Sequence, residues 1–152
     1  MNPNWYGRRY PTPEDLILAI ETTGAVILYA EIGDGALFVA GEPPIPPVVI
    51  LPVQGGVLLL SWLLAHELGH LTLHGGYTSR WTHDRQEHQA NVWAARALIP
   101  DRSIREHKNA SLDAFLAALS IHYEHLPLED CSQRRLAAEI ATIRLKAVEE
   151  VA

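Results

Sequence analysis

The chain reads as an α+β domain: a small antiparallel or mixed sheet packed on a buried helix, followed by a helical C-terminal segment. Three observations lead there. A helix start at Thr12-Pro13-Glu14-Asp15 precedes three short β-rich runs. The stretch from Gly56 to His74 has a helical pattern and is apolar on every side, the mark of a helix buried all round. From Asp84 onward the apolar residues recur only at helical spacing, so strands come first and helices after. With 152 residues, nearly half of them apolar, one core can form, and no repeat or linker divides the chain. A single domain over 1–152 is expected, with 1–10 as a loosely held arm and 101–152 as the helical C-terminal part.

The elements follow in order. Thr12 caps a helix with Pro13 in its first turn and acids beside it, running through Leu16 and Ile20 to stop near Gly24. Residues 25–30 and 36–40 are expected strands, and the turn residues Gly33-Asp34-Gly35 between them suggest a hairpin. Val48-Val49-Ile50-Leu51 is a third strand, expected at the sheet edge, where it could pair with an extended substrate. After the long apolar helix, Gly75-Gly76 is the stop signal and 77–83 a polar loop. A second helix runs from about Asp84 to Pro100, then a short turn over 101–108. Ser111 caps a helix through Leu112, Phe115, Leu116 and Leu119, and an amphipathic helix spans about 128–151.

Composition narrows the function classes. A net charge of −6 argues against direct binding to nucleic acid. Cys131 stands alone, so neither an internal disulfide nor a Cys-based zinc site can form, and with no signal-peptide pattern a cytoplasmic location is expected. Residues 43–65 carry no charge, but Pro43-Pro44, Pro46-Pro47, Pro52 and Gly55-Gly56 forbid one continuous membrane-spanning helix.

The chemistry concentrates in His66-Glu67-Leu68-Gly69-His70. Residues four apart share a helix face, so both imidazoles reach one ion while Glu67 lies beside it, the HExxH arrangement of zinc peptidases. Burying two histidines and a glutamate in an apolar helix costs several kcal/mol unless they are paired, and Zn²⁺ would pair all three. The competing explanation is a core histidine bonded to a carbonyl. A catalytic zinc takes a third protein ligand, and Glu87, opening the next helix ahead of small Ala90, Ala94 and Ala97, is the best candidate. His88 and His83 are its rivals, and a capping box with Asp84 is the bland reading of Glu87. Asn91, one turn on, is placed to orient a ligand. His74 suits the cleft edge, and His107, His122 and His125 read as ordinary surface or core histidines.

At this point the pattern His66-Glu67-Leu68-Gly69-His70-Leu71-x-Leu73-His74, followed by Glu87-x-x-Ala90-Asn91-x-Trp93-Ala94-Ala95-x-x-Leu98-Ile99-Pro100, resembles the ImmA/IrrE family of zinc peptidases. The resemblance implies a gluzincin-type site with His66, His70 and Glu87 on Zn²⁺ and Glu67 as acid/base. It implies a protein substrate, a helix-turn-helix DNA-binding repressor. Trp93 stands where the family usually has Phe, and Gln54-Gly55-Gly56-Val57-Leu58-Leu59-Leu60 replaces a polar, often Arg-containing run, which touches substrate recognition and not the metal. Metal-assisted peptide hydrolysis is the expected reaction, with Tyr77, His83 and Tyr123 as candidate oxyanion donors. The alternative is a catalytically silent, zinc-stabilised regulatory module, which would have no need of Glu67 as a base.

Overall fold

The computed structural model describes residues 1–33, 35–39, 44–54, 56–75, 83–107, 109–123 and 131–151. It is an α+β arrangement of six helices and a three-stranded mixed sheet among those residues. Helix α1 (Pro13–Thr22) starts as its sequence dictates: the Thr12 side chain accepts from the Asp15 backbone N–H while the Asp15 carboxylate accepts from that of Thr12. Leu16 and Ile20, one turn apart, are its buried face.

Strands β1 (Val26–Ala30), β2 (Leu37–Val39) and β3 (Val48–Pro52) lie in the order β1-β3-β2. β3 is parallel to β1 and antiparallel to β2. The expected β1–β2 hairpin is therefore replaced by a sheet with β3 inserted between the two. Burial explains the choice: Val49 and Leu51 of β3 have no exposed surface, whereas Val26, Leu28, Leu37 and Val39 on the flanking strands are exposed. The strand with most to bury takes the centre, where both of its edges are also paired. The expected edge position of residues 48–51 is corrected with it, since the edges are β1 and β2.

Helix α2 (Val57–His74) runs through the middle of the molecule and ends at Gly75, whose left-handed φ of 62° lets its N–H reach the carbonyls of His70 and Leu71. It packs on α1, on β3 and most extensively on α3 (His83–Leu98). Leu58, Leu64, Ala65 and Leu68 are buried in the core, while Leu73 near its end is exposed. None of the described helices is long and apolar enough to cross a membrane.

Helices α4 (Asp101–His107), α5 (Leu112–His122, capped by the Ser111 hydroxyl) and α6 (Cys131–Val151) close the core. Here Phe115, Leu116 and Leu119 meet Ala137, Ile140 and Ala141. The N-terminal segment is not a loose arm. Trp5 is buried, Tyr6 stacks on Trp93 at 4.6 Å between ring centres, and Trp93 donates its indole N–H to Asn2 Oδ1 at 2.9 Å. Aromatic area of this kind holds a segment that lacks regular structure.

Candidate metal centre

Two helices build the site, and their closeness is written in small residues. Gly69 of α2 lies against Ala90 of α3 so tightly that a Cβ added at Gly69 would sit 3.2 Å from the Ala90 carbonyl oxygen. A larger residue at either place would hold the helices apart. Glu87, one turn before Ala90, is thereby brought to the face of α2 that carries His66 and His70.

The two imidazoles turn their Nε2 atoms toward each other at 3.2 Å. Glu87 spans them, Oε1 at 2.8 Å from His70 Nε2 and Oε2 at 3.2 Å from His66 Nε2. One ligand atom from each of the three residues can be chosen within 4.8 Å of the others. The capping-box reading of Glu87 is not realised, because Asp84 lies inside α3 and the Glu87 carboxylate is engaged by the histidines. His88 is exposed and points away from the cluster, beside Val92 and Gln89.

Proton positions follow from the surrounding groups. Asn91 Oδ1 lies 2.9 Å from His66 Nδ1 and can only accept, so Nδ1 carries a ring proton, the tautomer in which Nε2 is the nitrogen left to ligate. Burial, with His66 beside it, pushes the His70 pKa down against the pull of Glu87, favouring the neutral ring that a metal requires. Lone pairs and a carboxylate this close repel unless a proton or a metal ion lies between them. Donors held at 2.0–2.2 Å around a tetrahedral ion are about 3.3–3.6 Å apart, near the two 3.2 Å distances found here and longer than the 2.8 Å one. The donor set of two imidazoles and a carboxylate therefore fits a divalent metal ion.

Glu67 faces the same cleft. It is only 6% exposed, and its Oε2 has no hydrogen-bond partner. Burial first, and the Glu87 charge second, raise its pKa from 4.5 to about 7. A carboxyl poised there exchanges protons readily at neutral pH. The cleft, about 420 Å³, is lined by Trp62, Leu63, His66, Glu67, His70, His83, Glu87 and Asn91, and by Ala36 and Phe38 from β2 with its preceding residue. Trp62 sits one turn before His66 on the same face of α2, a signal that sequence spacing already held. Ala36 and Phe38 arrive through strand order, which local sequence does not encode.

The three candidate oxyanion donors fare differently. His83 lines the cleft. Tyr77 lies outside the described residues. Tyr123 is corrected: it is buried in the core and donates its hydroxyl to the Leu98 carbonyl at 2.7 Å, so it does not reach the cleft. His74 is bonded to His70 and Gln89 and does not line the cleft. His107 bonds the Ser103 carbonyl and His122 stacks on Tyr10, both ordinary structural contacts, while His125 lies outside the described residues.

A cleft with three converging donors and a buried carboxyl without a partner has the makings of a hydrolytic metal centre. Residues 61–124, which contain the whole cluster, match the family model Peptidase_M78, described as the IrrE N-terminal-like domain. Over that segment the chain is similar to this peptidase family, in keeping with the resemblance to ImmA/IrrE peptidases. No curated protein matches the chain, and no solved structure does.

Proposed function

We propose that this chain is a zinc-dependent endopeptidase acting in the cytoplasm on a protein substrate, a helix-turn-helix transcriptional repressor. The observation that carries the reading is the convergence of His66, His70 and Glu87 with the unpartnered carboxyl of Glu67 in one cleft. His66, His70 and Glu87 would hold the metal, which when bound supplies a Lewis acid that acidifies water and polarises the scissile carbonyl. Glu67 takes the proton of the attacking water and passes it to the departing amine. Asn91 holds the His66 ring in its ligating tautomer. His83 at the cleft wall is the remaining described candidate to donate to the developing oxyanion.

Substrate binding is assigned to β2. It is an edge strand, and Phe38 lies in the cleft wall, so an extended segment can pair with its backbone while presenting a peptide bond to the site. An orphaned buried carboxyl has no purpose in a site that only stabilises the fold, which speaks against the silent regulatory module. The choice of a repressor rests on family likeness, the cytoplasm on a chain with one cysteine, and the absence of direct DNA binding on the net charge of −6.

The test is incubation of the zinc-loaded protein with the helix-turn-helix repressor encoded beside its gene. Cleavage at one position that stops on chelation and returns with zinc is the expected result. An intact repressor after incubation with fully zinc-loaded protein would overturn the substrate assignment.

A further inference from the structure

His70 differs from His66 in what holds its outer nitrogen. His66 Nδ1 meets an amide oxygen, whereas His70 Nδ1 meets another imidazole, His74 Nδ1, at 3.3 Å. Two imidazole nitrogens can share a hydrogen bond only if one carries the proton and the other a lone pair. The arrangement is therefore ambiguous at His74 unless something else decides it. The far nitrogen, His74 Nε2, lies 2.9 Å from Gln89 Oε1. An amide oxygen accepts only, so His74 carries a proton on Nε2, and in the neutral ring this leaves Nδ1 as an acceptor. His70 then donates from Nδ1, and its Nε2 is free to ligate. Reversing the first bond would reverse every later one and place a proton on the ligating atom.

We infer that His74 and Gln89 are positioning residues that fix the ligating tautomer and orientation of His70 through a two-step hydrogen-bond relay. The inference rests on the proposed metal centre. Neither residue lines the substrate cleft; both open instead on a separate surface hollow shared with Tyr6, Leu73, His88 and Val92. Their influence on the site passes through His70 and not through substrate. The i, i+4 spacing of His70 and His74 and the approach of α3 set the geometry, so one helix supplies the ligand and its first support while the other supplies the acceptor that gives the relay its direction.

Zinc affinity is measured by chelator competition for the wild-type chain, His74→Leu, Gln89→Met and Gln89→Glu. In the zinc-loaded proteins that retain His74, ¹H–¹⁵N spectra of the imidazoles read which His74 nitrogen carries the proton. The relay predicts affinity about 10–100-fold weaker for His74→Leu and Gln89→Met, as for other groups that support metal ligands. Gln89→Glu keeps an acceptor at the same place and is expected to restore affinity to within a few fold. His74 is expected to be protonated on Nε2 in the wild type and in Gln89→Glu. Wild-type affinity in Gln89→Met, or a wild-type His74 protonated on Nδ1, would overturn the relay while leaving the metal centre standing. A wild-type chain that binds no zinc would instead remove the metal centre and the relay with it.

Discussion

Among the described residues, two places put charges inside, and they are built to opposite ends. At the base of the core, Arg144 is buried, yet it donates to the Ile99 carbonyl at 2.9 Å and to Asp101 Oδ1 at 2.6 Å. Asp101 in turn takes two bonds from Arg96, at 3.0 and 3.2 Å. Every partner there comes from the chain itself. In the cleft, by contrast, two ring nitrogens and a carboxylate face one another, and Glu67 Oε2 has no partner. The first cluster is complete and joins α3, α4 and α6. Under the proposed function a cation and a water would complete the second, and it is the unpartnered carboxyl, more than the number of charges, that favours that reading.

The comparison can be broken from either side. The largest effect is expected at the incomplete site: Glu67→Gln should lower peptide cleavage about 10²–10⁴-fold, the usual worth of a general acid–base, while zinc affinity stays within a few fold. A cleavage assay run beside a metal assay checks it, and a variant that cuts at the wild-type rate removes Glu67 from proton transfer. At the complete cluster, Asp101→Ala strands the buried Arg144 and should cost about 3 kcal/mol, with zinc affinity unchanged. Urea unfolding at saturating zinc measures it; a loss of metal binding without a loss of stability would show that the two clusters are not separate.

A smaller effect concerns the metal-free chain. The Glu67 carboxyl titrates near 7 in the fold against 4.5 ordinarily, because burial and Glu87 disfavour its charge. Its ionised form therefore weighs against the folded state above pH 7, and that penalty disappears as pH falls from 7 toward 4.5. Glu67→Gln lacks the penalty, so without metal it should be more stable than wild type at pH 8, by roughly 3 kcal/mol, and the gap should close by pH 4.5. Comparing the two proteins cancels the opposing protonation of His70. A gap independent of pH would mean that Glu67 is not held neutral by its surroundings.

Local chemistry made much of this legible. The α1 start needed only Thr12 to Asp15, and the shared face of His66 and His70 needed only the helical period. Where the partners are distant, the sequence is silent. β1 and β2 flank a glycine-containing turn as a hairpin would, and only the burial of Val49 and Leu51 explains why β3 lies between them. Trp5 has no periodic neighbours, so its burial could not be read from a pattern. Tyr123 was readable: it continues the face of Phe115, Leu116 and Leu119 at helical spacing, a face that points to the core and away from catalysis. The direction of the His70–His74–Gln89 relay depends on how α3 crosses α2, which spacing within one helix does not determine.

The central claim is that the cleft cluster is completed by a metal held through His66, His70 and Glu87. Zinc titration of the wild-type chain, Glu87→Ala and His88→Ala, with bound metal counted by elemental analysis, tests it most directly. The account predicts one tightly held zinc in the wild type and in His88→Ala, and its loss or a steep weakening in Glu87→Ala. No tightly held metal in the wild type, or a loss in His88→Ala with Glu87→Ala unaffected, would contradict it.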